Sequence, residues 1–276
     1  MTSFHCSPES IDGFLRLAQQ AAHQAGDILR SKPQDYTQIH LIDAGDVKLA
    51  ADVASERLIR SILEPTGLPI IGEEGGGDVN LLKQNQLYWV IDPLDGTYNY
   101  LRGLPFCCVS IALMRGIEPI LGVIDDFNTH TTYSAINEGP LIVQQAQHSP
   151  EYIPSGRWLK DKQTALVLSS LRYDKKLGRM VPEHFEHLTH GFNKVRFFGT
   201  AALSLAWVAA GQAEGYIERC VCWWDVAAGL ALLKAAGGHY RLHFYENDPI
   251  RLDCFASAHL DWLPHTHETF ATREEK

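Results

Sequence analysis

Apolar residues near the start of the chain recur at helical spacing. Ile11, Phe14, Leu15, Ala18, Ala21, Ala22, Ala25, Ile28 and Leu29 fall on one face of a 3.6-residue repeat. Ser7-Pro8-Glu9 ahead of them supplies an N-cap and a proline at the first helical position, so a helix is predicted to begin there. Residues 32–46 show no period and are predicted to be irregular. A second helix is predicted over about 47–63, with Val53, Leu58, Ile59 and Ile62 facing inward and Pro65 and Gly67 ending it. The pattern then changes to short apolar runs: LPII (68–71), LYWVI (87–91), CCVSIALM (107–114), ILGVID (120–125), TTYSAI (131–136) and LIV (141–143). They are rich in β-branched and aromatic residues and are punctuated by Gly, Pro, Asn and Asp, which predicts a series of strands.

Residues 144–163 are polar and carry two prolines, a seam between halves. Beyond it the pattern alternates: strand 164–170, helix about 175–190, strand 194–198, helix 200–210, strand 213–219, helix 225–237, strand 238–244. Alternation favours an α/β arrangement. The expected class is α/β (α+β), helices layered on two sheets. One domain is expected over 1–276, with an N-terminal half of about 1–145 and a C-terminal half of about 160–260. The closing PHTHETFATREEK reads as frayed.

Composition narrows the function class. The chain of 276 residues is 45% hydrophobic and 21% charged, with a formal net charge of −9 and no dense basic run. That argues against a nucleic acid polymer as partner. An acidic chain can still take a phosphate ester if a metal ion supplies local positive charge. MTSFHCSPES has no basic n-region or apolar h-region, so no signal peptide is expected. No run of about 18 apolar residues predicts a membrane span. The six cysteines (Cys6, Cys107, Cys108, Cys220, Cys222, Cys254) make no CxxC pair and no zinc-ligand spacing, and a reducing, cytoplasmic location is expected.

The carboxylates are the informative residues. Glu73 and Glu74 follow the strand ending at Ile71, and Asp92 and Asp95 follow the next strand. Asp225 stands just before the small-residue helix VAAGLALLKAAGG, where it is predicted to be the N-cap, with Ala227, Ala228 and Gly229 allowing close packing. Asp52 lies inside the second helix. Like charges this close repel one another, and burial makes the repulsion worse. Oxygen ligands in this number suit Mg²⁺ or Mn²⁺ rather than Zn²⁺. Gly96-Thr97 is predicted to open a helix whose N–H groups face an anion, with the Thr97 hydroxyl orienting a water. Divalent ions beside such a helix start describe a phosphoryl-transfer site.

Three segments carry a resemblance: Gly72-Glu73-Glu74, then Asp92-Pro93-Leu94-Asp95-Gly96-Thr97-Tyr98-Asn99, then Trp224-Asp225-Val226-Ala227-Ala228-Gly229. In order and approximate spacing they resemble the inositol monophosphatase family of Mg²⁺-dependent, lithium-sensitive phosphatases, over about residues 10–258. The resemblance implies a layered α/β/α/β/α sandwich, a homodimer, and two or three Mg²⁺ ions, with Mn²⁺ as a substitute. It implies metal ligation by Glu73, Asp92, the Leu94 carbonyl, Asp95 and Asp225, and water activation by Thr97 with Asp52 and Glu73. It gives phosphate to the Gly96 and Thr97 N–H groups and places Gly199-Thr200-Ala201 along the substrate site. Asn99 resembles the inositol branch, and Glu218 matches that branch's acidic position for sugar hydroxyls. The implied substrate is a small phosphorylated polyol, sugar or nucleotide, inositol 1-phosphate first. The alternatives are a 3′(2′),5′-bisphosphate nucleotidase, a fructose-1,6-bisphosphatase, a histidinol-phosphate phosphatase and, in another class, a non-catalytic regulatory binding protein.

The chain departs from the family where a threonine is replaced by Leu49 and an upstream lysine by Leu41, with Lys48 nearby. These departures are the support for the regulatory reading, and the intact ligand set argues against it. Other motifs read more plainly. Glu74 is expected to support the site rather than ligate. Gly75-Gly76-Gly77 matches no phosphate-loop pattern and is expected to be a flexible, lid-like loop. His184, His187 and His190 drift around a helix and read as a solvated face. Trp223-Trp224 reads as packing that shields Asp225, and Cys107-Cys108 as strand packing.

Overall fold

Helix α1 spans Ile11–Ser31, and its stripe of Phe14, Leu15, Ala18, Ala21, Ala22, Ala25 and Leu29 is buried as the period predicts. The computed structural model describes residues 10–31, 39–43, 46–146, 148–170, 173–174, 179–180 and 192–263. The expected Ser7 cap lies outside them. Within the stretch expected to be irregular, β1 (Ile39–Asp43) pairs antiparallel with β2 (Asp46–Leu49). A register shift between Ile39 and Leu41 breaks the two-residue alternation that would have announced the hairpin.

Helix α2 runs Ala50–Leu63 and buries Ala51, Asp52, Ser55, Glu56, Ile59 and Leu63. Ile59 faces inward as expected, Leu58 and Ile62 are half-buried, and Val53 is 38% exposed. Val53 is therefore a correction: the buried stripe contains polar residues that serve the site, so hydrophobicity alone rotated the helix.

Seven strands form the first sheet in chain order: β3 (Ile70–Gly72), β4 (Leu87–Asp95), β5 (Cys108–Arg115), β6 (Glu118–Asp126), β7 (Thr131–Ile136), β8 (Leu141–Gln145) and β9 (Glu151–Ile153). β3 and β4 are parallel and the other pairs antiparallel. Each apolar run of this half became a strand. The expected seam contributes β9, so the first sheet reaches Ile153.

The second sheet has the order β13-β10-β14-β16-β15. Its strands are β10 (Leu166–Ser169), β13 (Lys194–Phe197), β14 (Gly215–Cys222), β15 (His239–Tyr245) and β16 (Asp248–Ser257). β16 was not anticipated, because Asp253 interrupts its apolar pattern. A two-stranded ribbon joins β11 (Tyr173–Asp174) to β12 (Arg179–Met180), so this part of the expected helix 175–190 is strand. The rest of that helix, with His184, His187 and His190, lies outside the described residues.

Helices α4 (Ala201–Ala209) and α5 (Trp223–Ala235) are buried on nearly all faces, as befits helices held between two sheets. α5 comes so close to its neighbours that a Cβ on Gly229 would lie 2.4 Å from Leu205 Cβ, and one on Gly122 of β6 would lie 2.4 Å from the Ala228 carbonyl. Among the described residues the layers run α1/α2, first sheet, α4/α5, second sheet, four of the five layers that the resemblance implies. Among the described residues no helix is long and apolar enough to cross a membrane.

Candidate active site

Strand β4 ends on the two carboxylates that raised the question of compensation. Its pairing with β5 is interrupted between Asp92 and Asp95 by a bulge, and both side chains are buried. The Leu94 N–H donates to Asp92 Oδ1 at 3.0 Å, and the Pro93 carbonyl accepts from Ser55 Oγ at 2.8 Å, which ties the turn to α2. Gly96 then turns with φ +87°, where a Cβ would meet the Phe106 carbonyl at 2.6 Å. A short helix α3, Thr97–Arg102, follows as expected.

Asp95 has its own answer to the charge problem. Thr200 Oγ1 donates to Asp95 Oδ2 at 2.5 Å, with the Ala202 N–H at 2.8 Å on the same oxygen and the Ala201 N–H at 3.3 Å on Oδ1. The carboxylate thus sits on the N-terminus of α4, where amide dipoles favour a negative charge. Burial raises its pKa, and these hydrogen bonds oppose the rise. Thr200 and Ala201 line the cleft as predicted, but they also hold Asp95.

Asp52 and Asp225 share one device. Each is the third residue of its helix and reaches back to the N-cap amide: Leu49 N to Asp52 Oδ2 at 2.8 Å, Cys222 N to Asp225 Oδ2 at 2.8 Å. Asp225 is therefore not the N-cap, as the sequence suggested; Cys222 is. Leu49, the departure from the family pattern, is the N-cap of α2, fully buried and without a side-chain cap bond. Thr97 Oγ1 lies 3.1 Å from Asp52 Oδ1 and 3.0 Å from the Leu94 carbonyl. Desolvation raises the Asp52 pKa to about 7, with the nearby Glu74 charge adding to the rise.

The Glu73-Glu74 turn rests on a residue that sequence reasoning missed. Glu56 is buried and accepts from the Glu74 N–H (2.7 Å), the Gly75 N–H (2.8 Å) and Arg60 Nε (2.6 Å). Gly72 N–H also bonds the Gly76 carbonyl at 3.0 Å, and Arg60 reaches the same carbonyl at 3.1 Å. The glycine run is thus pinned, a correction to the lid expectation. Glu74 supports the site as expected, pairing with Lys48 Nζ at 3.2 Å. The available signal for Glu56 was its place four residues after Asp52 and four before Arg60, on one helix face.

One cleft of about 200 Å³ collects Glu73, Asp92, Leu94, Asp95, Gly96, Thr97, Gly199, Thr200, Ala201, Glu218 and Asp225, together with Tyr98 and Ser170. Every predicted site residue is there except Asp52, which stands behind Thr97. Glu218 accepts from both Tyr216 Oη and Ser170 Oγ, so it is held rather than loose at a strand end. Ser170 was missed, since a lone serine after a strand carries no signal. Asn99 donates to the carbonyls of Phe106 (2.8 Å) and Phe198 (2.7 Å), a structural tie between α3 and the approach to α4. Trp223 is buried and Trp224 half-buried beside Asp225, and Cys107 and Cys108 are buried beside β4.

Five carboxylates line this cleft, and among the described residues no Lys, Arg or His does. Asp92 has a pKa well above the usual range because of burial first, then the charges of Glu73, Asp95 and Asp225. Among the described residues no three His, Cys, Asp or Glu side chains are gathered tightly enough to hold an ion as they stand. Asp92, Asp95 and Asp225 each accept a hydrogen bond from a backbone amide. An oxygen-only donor set with unbalanced negative charge still fits a hard divalent cation and no softer one.

The model of the inositol monophosphatase family matches residues 11–272. The chain belongs to the inositol monophosphatase family. It is a phosphatase on the same grounds. It is 34% identical over 240 residues to an inositol-1-monophosphatase of Synechocystis, covering 84% of this chain and 79% of that one. It is 33% identical over 238 residues to a Nus factor SuhB of Xylella fastidiosa, covering 85% and 83%. Among solved structures, an inositol monophosphatase of Anabaena (Nostoc) superposes with a TM-score of 0.68 at 32% identity, covering 90% of this chain and 91% of that one.

Proposed function

We propose that the chain hydrolyses the phosphomonoester of a small polyol or sugar, with Mg²⁺ as cofactor and inositol 1-phosphate as the first substrate. The observation that carries this reading is the gathering of Glu73, Asp92, Asp95 and Asp225 on one cleft with Thr97 and Glu218. Relatives named inositol-1-monophosphatase support the choice of substrate.

Glu73, Asp92, the Leu94 carbonyl, Asp95 and Asp225 would hold two or three Mg²⁺ ions, with Mn²⁺ the other hard cation suited to them. When bound, Mg²⁺ supplies charge that polarises the phosphoryl oxygens, acidifies water and eases the departure of the leaving oxygen. The remaining work falls to this chain's own groups. A water on Thr97 Oγ1 passes its proton to that oxygen as Thr97 gives its own proton to Asp52 Oδ1, 3.1 Å away. A pKa of about 7 suits Asp52 to take that proton at neutral pH. The Gly96 and Thr97 N–H groups receive the phosphate. Glu218, oriented by Tyr216 and Ser170, accepts from polyol hydroxyls and repels a second phosphate.

A homodimer in a reducing, cytoplasmic setting belongs to the same proposal. None of the described cysteines is joined in a disulfide, which supports the setting. Light scattering tests the dimer. A binding role on the same fold is the second reading, favoured by the relative named Nus factor SuhB.

The test is phosphate release from inositol 1-phosphate, fructose 1,6-bisphosphate, adenosine 3′,5′-bisphosphate and histidinol phosphate, each with Mg²⁺ and with chelator. Preferred, Mg²⁺-dependent turnover of inositol 1-phosphate supports the proposal. Preference for the nucleotide overturns the role given to Glu218, and turnover unaffected by chelator overturns the role given to Mg²⁺.

A further inference from the structure

Strand β14 carries Glu218 at one side of the cleft and leads within seven residues to Asp225 on α5. Between them the strand is irregular. Glu218 pairs with Cys254 of β16, but Val221 pairs with Leu252, so β14 takes three steps where β16 takes two. The extra residue is a β-bulge, a device that re-aims side chains near active sites. Cys220 lies in it with φ +58°, in the left-handed region that favours glycine.

The bulge changes which residues face the core. Paired residues on antiparallel strands project to the same side. Tyr216, Glu218 and Val221 therefore share the face of Ala256, Cys254 and Leu252, which belongs to the main core. An unbulged strand would put Cys220 and Cys222 on that face and deliver Trp223 to α5 from the other side of the pleat. The position of Glu218 relative to Asp225 thus depends on one extra residue.

Asp253 holds that residue. It lies on β16 between Leu252 and Cys254, opposite the bulge, and has no exposed surface. Asp253 Oδ1 accepts from the Cys220 N–H at 2.9 Å and from Tyr245 Oη at 2.8 Å, and Oδ2 accepts from Arg219 Nε at 3.1 Å. Arg251 Nη1 donates to the Cys220 carbonyl at 3.2 Å. Side chains of β16 therefore satisfy both backbone groups of Cys220 in place of ladder bonds.

We propose that Asp253 is a positioning residue for the hydrolytic site, acting through the Cys220 bulge to set Glu218 and Asp225 in register. The inference rests on the proposed roles of Glu218 and Asp225. Displacement of Glu218 alters recognition of polyol hydroxyls, and displacement of Asp225 alters the chemical step for any phosphate ester.

The experiment compares wild type, Asp253→Asn, Asp253→Ala and each Asp253 variant combined with Cys220→Gly. It uses full-length protein with Mg²⁺, on inositol 1-phosphate and on p-nitrophenyl phosphate, which has no polyol, with Tm measured alongside. Asp253→Asn removes the Arg219 ion pair but retains an oxygen for the Cys220 N–H, so its kcat/KM on inositol 1-phosphate falls less than that of Asp253→Ala, for which the expected loss is ~10–100-fold. KM rises for inositol 1-phosphate only, while kcat falls on both substrates. Cys220→Gly, which adopts the bulge conformation without the tie, restores most of the kcat/KM. The proposal is overturned if the folded Asp253 variants stay within about twofold of wild type, the scale of an effect below 0.5 kcal/mol, or if Cys220→Gly restores nothing. If Asp253→Ala does not fold, Asp253→Asn with and without Cys220→Gly decides by the same criteria. A wild type that cleaves p-nitrophenyl phosphate but not inositol 1-phosphate overturns the polyol reading alone, and the bulge is then judged by kcat on p-nitrophenyl phosphate.

Discussion

Thr97 Oγ1 lies 3.1 Å from Asp52 Oδ1, joining the start of α3 to the first turn of α2. Asp52 is 1% exposed, and its other oxygen is engaged by the Leu49 amide. A hydroxyl on a buried carboxylate with a pKa of about 7 is arranged to move a proton at neutral pH. If Thr97 relays the proton, Asp52→Asn lowers kcat by ~10²–10⁴-fold, the range for general-base catalysis. The acid limb of the pH–rate profile falls below about pH 7 as Asp52 takes a proton. A limb unchanged in Asp52→Asn excludes this assignment.

The same carboxylate makes a prediction about stability. Burial raises its pKa from the ordinary aspartate value of 3.8 to about 7, so the folded state binds the proton more tightly. Protonated Asp52 is not penalised by burial, and stability declines as pH rises from about 4 to about 7. The shift corresponds to a loss of order 4 kcal/mol above pH 7. In chelator, Asp52→Asn therefore raises stability over wild type at pH 8 and has little effect at pH 4, measured by urea denaturation. Equal effects at both pH values refute the buried-charge penalty.

Glu56 supports the Glu73 turn through two amides and Arg60. Glu56→Ala leaves those donors without their charged acceptor and costs ~2–3 kcal/mol, from hydrogen bonds to a charged group. The displaced Glu73 should also raise the Mg²⁺ concentration for half-maximal activity. Thermal melts and Mg²⁺ titration of phosphate release check both, and an unchanged Mg²⁺ requirement separates the turn from the metal site.

Gly229 permits α5 to pack on α4. Its substitution by alanine places Cβ 2.4 Å from Leu205 Cβ, on a helix whose residues are nearly all buried. Overpacking of this kind costs ~1–3 kcal/mol. A Gly229→Ala, Leu205→Ala double variant should recover part of the loss in a urea-melt cycle.

Glu218→Gln tests substrate reading apart from chemistry. KM for inositol 1-phosphate should rise roughly 10- to 100-fold, from the loss of ~1.5–3 kcal/mol of hydrogen bonds to a charged group, while p-nitrophenyl phosphate kinetics stay unchanged. An equal change on both substrates assigns Glu218 to the metal site or to the fold.

Sequence pattern and structure parted where chemistry interrupts hydrophobic periodicity. α2 was rotated by its apolar residues because Asp52, Ser55 and Glu56 occupy the buried stripe. β16 was missed because a wholly buried Asp253 sits among its core residues. The β1–β2 hairpin was hidden by a register shift. Strands β3 to β8 and α1 were legible because mostly apolar residues are buried along them, whereas β9 lay in the polar stretch read as a seam. The cleft residues were legible as a set, since the three motifs sit at element ends where side chains converge. The partners that hold them were not: Thr200 on Asp95 and Glu56 under Glu74 are contacts across 105 and 18 residues, and the spacing of Glu56 from Asp52 and Arg60 gives its helix face but not its partner.

The most direct measurement is phosphate release from inositol 1-phosphate as Mg²⁺ is titrated into wild type and Asp92→Asn. Asp92 is the carboxylate whose charge burial and its three acidic neighbours most oppose. The account predicts saturable activity that requires Mg²⁺ in wild type and loses several kcal/mol of transition-state stabilisation in Asp92→Asn. Activity that persists in chelator, or an Asp92→Asn variant with the same Mg²⁺ curve as wild type, would contradict it.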